Sequence, residues 1–189
     1  SGPEACSKTW NKKITKKILK ENDINTPISI GISEFSYQVA NNGLNISSYD
    51  CFRPFNYLFL KPDEDGSSID IFKISDDESL KNAYKKCTNN KRGFLFEEYI
   101  EGRELTVTVI DKECFPPIEI ITKNEFYDYD AKYISDDTLH VEAELTQKEL
   151  DEIKSIAMNA FEVLDCKAWA RVDIIQDKKG KFYVIEINT

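Results

Sequence analysis

The chain lacks any run approaching the roughly 20 apolar residues that a bilayer-spanning helix needs, and it has no charged-then-apolar leader before a small-residue cleavage site. A cytoplasmic protein with no membrane partner is expected on that ground. It is poor in histidine, with His140 alone, and its five cysteines (Cys6, Cys51, Cys87, Cys114 and Cys166) are dispersed without a CxxC pair. Neither a zinc site nor a disulfide framework is suggested, and reduced buried thiols are the plainer reading. Positive charge is also short: 25 Lys and Arg against 34 Asp and Glu give a formal net charge of −9. Nothing electrostatic draws such a chain to DNA, RNA or an anionic membrane, so a polyanionic ligand must be small and locally neutralised. Internal repeats and low-complexity linkers are absent as well.

What is present is an ordinary globular mixture. The 189 residues are 41% hydrophobic and 31% charged, enough for one sizeable core or two closely packed subdomains. Trp10, Ile14 and Ile18 at helical spacing after Ser7, a candidate N-cap, predict a helix over 7–22, ended by Asn25-Thr26-Pro27. Residues 28–100 read as a small α+β unit, with apolar Tyr57-Leu58-Phe59-Leu60 and a helix opening at Ser75-Asp76-Asp77-Glu78 with capping-box spacing. Leu105 to Val109 alternates with period two and Ile118-Glu119-Ile120 continues the pattern, which predicts two paired, half-buried strands. Thr146-Gln147-Lys148-Glu149 is a second capping box, followed by the apolar stripe Leu150, Ile153, Ala157, Ala160, Phe161 and Leu164. Two strands, 168–175 and 182–188, close the sequence around Asp177-Lys178-Lys179-Gly180.

That last hairpin carries the chemistry. Closed symmetrically about Lys178-Lys179, it sets Arg171 opposite Glu186, and alternation then brings Asp173 and Asn188 to the same face. A five-residue loop would instead invert one strand and scatter the set. Two carboxylates and an amide oxygen suit magnesium, which takes hard oxygen ligands and completes its shell with water and phosphate. An exposed hairpin with an ordinary Arg171–Glu186 ion pair is the alternative. Upstream, Lys61-Pro62 ends an apolar strand before Asp65-Gly66-Ser67-Ser68, a loop whose N–H groups can cradle phosphate oxygens or simply turn the chain. The run from Phe94 to Glu104 joins two strands through Gly102. It can offer backbone to an adenine edge and a carboxylate to ribose, or serve as a charged hinge. Phe126 to Tyr133 is an aromatic loop around Lys132, otherwise readable as satellite packing.

Taken in order, LysPro…GlySerSer, GluGluTyrIle…GlyArgGlu, TyrAspTyr…AlaLysTyr, ArgValAsp and GluIleAsnThr make the chain resemble the D-alanine–D-alanine ligase family of the ATP-grasp superfamily, over nearly its whole length and most closely over 97–189. The resemblance implies an α+β, ATP-grasp fold, two α+β subdomains with antiparallel-rich sheets gripping the nucleotide between them. Residues 1–24 would be a helix packed on the larger subdomain, 25–100 the small subdomain, and 101–189 the large one, truncated at its C-terminal end. It also implies that Lys12 and Lys61 hold the α- and β-phosphates, Glu97 the adenine amino group, the backbone of Glu98, Tyr99 and Ile100 the adenine edge, and Glu104 the ribose. Phe59, Ile71, Phe126 and Ile185 would sandwich the base. Lys132 would reach the γ-phosphate, and Tyr133, Ser67 and Ser68 would close loops over the reacting groups. Asp173, Glu186 and Asn188 would bind two magnesium ions, or manganese, and Arg171 would stabilise the oxyanions.

The activity implied is ATP-dependent joining of two D-alanines for peptidoglycan through an acyl phosphate, in a full-length homodimer. Another ATP-grasp carboxylate–amine ligase, with another amino acid as substrate, or a nucleotide-binding module without turnover are the alternatives. Two departures stand out. The family reads Val-Gly after the paired serines, where this chain has Ile69-Asp70, adding negative charge near the expected phosphates. The family's N-terminal domain and its Ser-Pro-Gly loop are expected outside 1–189, so a fragment or one part of a split enzyme is expected.

Overall fold

The structure, a computed structural model, describes residues 1–35, 57–64, 70–88, 92–122 and 138–189. Its contacts divide the chain into two units: Ser1–Thr26 with Ile100–Thr189, and Pro27–Tyr99.

The larger unit opens with two helices where the periodicity suggests one. Helix α1 runs Pro3–Trp10 and α2 runs Lys12–Glu21, and Asn11 stands between them in an extended conformation. Its side chain accepts the Ile14 N–H at 3.0 Å, so Asn11 is the N-cap of α2, while Ser7 lies inside α1. The break resets the helical phase, and Trp10 and Ile14 end up exposed (55% and 44%). Thr15, Lys16 and Leu19 are buried in their place. Lys16 can go under because its Nζ donates to Thr26 Oγ1 at 2.9 Å, giving a buried ammonium a polar partner. The helix stops before Asn25. Asp23, at φ 57, takes the left-handed position, and the Ile24 and Asp23 N–H groups bond back to the Leu19 and Lys20 carbonyls, a Schellman ending.

The sheet of this unit has six described strands: β5 (Gly102–Ile110), β6 (Glu113–Cys114), β7 (Ile118–Ile121), β8 (Leu139–Glu142), β9 (Trp169–Asp177) and β10 (Phe182–Asn188). Their order is β10-β9-β5-β7-β8, with β6 also on β5, and every pair is antiparallel. Helix α4 (Gln147–Val163) begins in the expected capping box, with Thr146 and Glu149 bonded reciprocally. Its Ile153, Ala157, Ala160 and Phe161 pack on Leu105, Val107 and Val109 of β5, Ala170, Val172 and Ile174 of β9, and Phe182, Val184 and Ile187 of β10. Gly102 is required for close approach: a Cβ there would sit 2.0 Å from the Gln176 carbonyl of β9.

In the smaller unit β1 (Ser29–Gly31), β2 (Leu58–Pro62), β3 (Phe72–Ile74) and β4 (Phe94–Glu98) form an antiparallel sheet in the order β1-β4-β2-β3. Helix α3 (Asp77–Thr88) covers one face, where Leu80, Ala83 and Cys87 meet Leu58, Leu60, Ile74, Phe94 and Phe96. Its cap is Asp76, whose carboxylate accepts the Ser79 N–H at 2.7 Å while Ser79 Oγ accepts the Asp76 N–H at 3.1 Å. The reciprocal partner is thus Ser79, three residues after the cap, and not Glu78.

Candidate functional site

The closing hairpin departs from the symmetric closure twice, by one residue each time. Gln176 pairs with Phe182, so residues 177–181 form the loop, held by the Asp177 carboxylate, which accepts N–H bonds from Lys179 and Lys181. That loop alone would throw Arg171 and Glu186 onto opposite faces. The register shifts again between Val184 and Glu186, where Ile185 is an extra residue. A bulge of this kind restores the lost phase. The buried series of β10 accordingly steps from even to odd, through Phe182 and Val184 to Ile187. At the bulge the Val184 N–H, on the edge strand, bonds to the Asn25 carbonyl at 2.8 Å.

The corrected register sets Asp173 opposite Glu186 and Arg171 opposite Asn188. On its other side β9 pairs with β5, putting Thr106 beside Asp173, Thr108 beside Arg171 and Glu104 beside Ile175. Two rows therefore cross three strands on the face away from α4: Thr106, Asp173, Glu186 and Thr108, Arg171, Asn188. Arg171 thus stands opposite Asn188 and not, as the symmetric closure predicts, opposite Glu186. Its Nε and Nη2 grip Asp173 at 2.9 and 2.8 Å, because Asp173 is two residues along the same strand and projects to the same side.

Asp173 is buried, and receives Thr106 Oγ1 at 2.8 Å on Oδ1 and Asn188 Nδ2 at 3.0 Å on Oδ2. Burial pushes its carboxyl above the ordinary value, the Glu186 charge adds to that push, and Arg171 and Thr106 oppose it. Arg171 already supplies one positive charge to Asp173, and the neighbouring Glu186 carboxylate on this partly desolvated face would favour a second. Asn188 spends its N–H on Asp173, which leaves the amide oxygen as its ligand atom. Among the described residues no three His, Cys, Asp or Glu side chains cluster as a metal group. A cation here would thus lean on two carboxylates, one amide oxygen, water and phosphate, as magnesium does; the residues fit.

The smaller unit has its own polar face. Lys61 on β2 and Glu97 on β4 form a hydrogen-bonded ion pair with side-chain exposures of only 10% and 4%. Phe59, directly opposite Glu97, meets the Tyr99 ring edge-on at 5.5 Å. The Glu98 carboxylate accepts the Ile28 N–H at 2.9 Å, and the Glu98 N–H donates to the Ile28 carbonyl at 2.8 Å. Ile71 is half-buried just before β3 and Ile100 is buried. Lys12 opens α2, and Ile185 is the bulge residue. Ser67, Ser68, Phe126, Lys132 and Tyr133 lie outside the described residues. Asp70 is exposed, stands at φ 57, and is bonded by Arg92 Nη1 at 2.9 Å. Its extra charge is therefore matched by a guanidinium. Thr106 and Arg92 escape the motif reading; alternation along β5 with Glu104 is the one signal that points to Thr106.

The family model described as D-ala D-ala ligase C-terminus matches residues 22–189. D-alanine–D-alanine ligase B of Clostridium perfringens is 33% identical over 189 residues, covering 100% of this chain and 60% of the relative. The Mannheimia succiniciproducens D-alanine–D-alanine ligase is 39% identical over 133 residues, 70% of this chain and 43% of the relative. The crystal structure of D-alanine–D-alanine ligase from Bacillus anthracis superposes with a TM-score of 0.77 at 28% identity, over 100% of this chain and 59% of that one. This chain thus spans about half the length of the relatives it matches.

Proposed function

Because the chain belongs to the D-ala D-ala ligase C-terminus family, with an ATP-grasp fold like that of the Bacillus enzyme, we propose that it carries the nucleotide-binding and phosphoryl-transfer part of an ATP-dependent D-alanine–D-alanine ligase. The observation that carries this reading is the pair of rows in which Asp173 faces Glu186 and Arg171 faces Asn188. In the proposed reaction the carboxylate of one D-alanine takes the γ-phosphoryl group of ATP, releasing ADP. The amine of a second D-alanine then attacks the acyl phosphate and expels phosphate, which needs no protein nucleophile.

The protein's task is to align and to neutralise. Glu97 would accept from the adenine amino group, the backbone from Glu98 to Ile100 would meet the adenine edge, and Glu104 would take the ribose hydroxyls. Phe59, Ile71, Phe126 and Ile185 would enclose the base. Lys12, Lys61 and Lys132 would hold the phosphates, and Tyr133, Ser67 and Ser68 would cover the reacting groups. Asp173, Glu186 and Asn188 would hold magnesium, which supplies charge neutralisation to the transferring phosphoryl group. Arg171, half-exposed beside Asp173, would stabilise oxygens that gain charge as the carbonyl becomes tetrahedral. The reading is consistent with a homodimeric, cytoplasmic enzyme of peptidoglycan synthesis.

Titration of the chain with a non-hydrolysable ATP analogue by calorimetry, with and without magnesium, tests the proposal. Magnesium-dependent binding is expected, and Glu186→Ala should abolish the magnesium dependence. Unchanged affinity in that variant would overturn the metal assignment. Release of ADP only when D-alanine is present would distinguish ligation from simple nucleotide binding.

A further inference from the structure

The donors around Asp173 are not equivalent. Arg171 binds both carboxylate oxygens, with Nε on Oδ1 and Nη2 on Oδ2, and Asn188 binds Oδ2 from β10. Under the function proposed above, both have other work: Arg171 at the reacting carbonyl and Asn188 at the cation. Thr106 does not. It sits on β5, directly opposite Asp173, and donates Oγ1 to Oδ1 at 2.8 Å. Both residues are only 9% exposed, so the bond is shielded from water. Thr106 neighbours Leu105 and Val107, which are fully buried in the core beneath α4, so its backbone is fixed by packing.

We propose that Thr106 is the positioning residue for the metal-binding carboxylate: it holds Oδ1 on the β5 side and so presents Oδ2 toward Asn188 and Glu186 on β10. The inference rests on the metal assignment made above. Its physical basis is pre-organisation. A carboxylate that can rotate must lose that freedom when a cation binds, whereas one gripped by a β-branched side chain of restricted rotamers has already lost it. The methyl group of threonine also fills the space beside its hydroxyl, which serine would leave to water.

The test is manganese binding to the whole 189-residue chain in the presence of the ATP analogue, followed by the electron paramagnetic resonance of free manganese. Thr106→Val keeps the shape and removes the hydroxyl, and is expected to weaken manganese about tenfold or more, while the chain stays folded with a modestly lower melting temperature and the metal-free affinity for the analogue stays unchanged. Thr106→Ser should return most of the affinity. Where valine prevents folding, Thr106→Ala carries the same expectation. Wild-type manganese affinity in the valine or alanine variant, or a serine variant as weak as valine, overturns the inference. If the wild-type chain binds manganese and Asp173→Asn does not, that failure touches Thr106 alone. A wild-type chain that binds no manganese removes the metal assignment and this inference together.

Discussion

Both sheets turn one face to a helix and gather charge on the other, yet they hold that charge in different ways. In the smaller unit the Glu97 carboxylate and the Lys61 ammonium are sealed together, with side-chain exposures of 4% and 10%. In the larger unit Asp173 is equally withdrawn at 12%, but the Arg171 side chain that serves it is 47% exposed. A sealed pair has spent its desolvation energy already and resists separation, because either ion alone is stranded. A cation that keeps one side in water can be exchanged at little loss. The first arrangement suits a fixed recognition surface, and the second suits a site where one cation must make room for another.

The largest effect that separates the two is on folding. Glu97→Ala leaves a buried ammonium and is expected to cost about 3–5 kcal/mol in urea denaturation. Arg171→Ala leaves Asp173 with its bonds from Thr106 and Asn188, and is expected to cost at most about 2 kcal/mol. Equal losses would break the comparison. If the proposed function holds, turnover should run the other way, with Arg171→Ala lowering kcat by roughly two to three orders of magnitude in a ligase assay, as loss of an oxyanion donor does elsewhere.

A gentler probe of the smaller unit is its buried thiol. Burial in the core under α3 pushes Cys87 up to about 11, and the Asp70 charge adds to the push. At pH 8 its thiolate is therefore about a thousandth of the total, and alkylation of the folded chain at Cys87 should be correspondingly slow. The sign for stability follows. Below pH 8.5 both folded and unfolded thiols keep their protons, and nothing changes. From there to the raised value the unfolded chain releases a proton that the folded chain retains, so stability falls by roughly 1.4 kcal/mol per pH unit. Comparing denaturation of the wild type and Cys87→Ala at pH 8 and 10.5 isolates this slope, and a variant with the same pH dependence as the wild type refutes it.

What the sequence disclosed was local or strictly alternating. The capping box at Thr146, the stripe of α4 and the pairing of β5 with β7 depend on residues a few positions apart, or on simple period-two patterns. The hairpin at the candidate metal site was legible in membership and not in register, because two one-residue shifts in the same direction, a loop at 177–181 and a bulge at Ile185, add to a two-residue offset that keeps the face and changes the partners. Nothing in Tyr183-Val184-Ile185 announces a bulge, since its N–H partner, Asn25, comes from a distant segment. The same holds for Lys16. A helix wheel assigns lysine to solvent, and the Thr26 hydroxyl, brought in by the turn after α2, helps to make its burial tolerable. Arg92 is likewise recognisable as the partner of Asp70 only once β3 and β4 are paired through β2.

The smallest expected effect is at Asp70, and its near-absence is itself informative. Three terms compete there. A left-handed backbone at φ 57 costs a non-glycine residue about 1 kcal/mol, less for aspartate than for most. Glycine would relieve that, but an unfolded chain with glycine has more freedom to lose, by roughly 0.5–1 kcal/mol. The Arg92 pair, with both side chains about two-fifths exposed, adds only a few tenths of a kcal/mol in water. Asp70→Gly should therefore leave the unfolding free energy within about 0.5 kcal/mol of the wild type. Asp70→Ala keeps the strained backbone, loses the ion pair, and has no side chain to bond locally, so it should fall about 1 kcal/mol below glycine. If alanine matches glycine in denaturation, position 70 is not held left-handed.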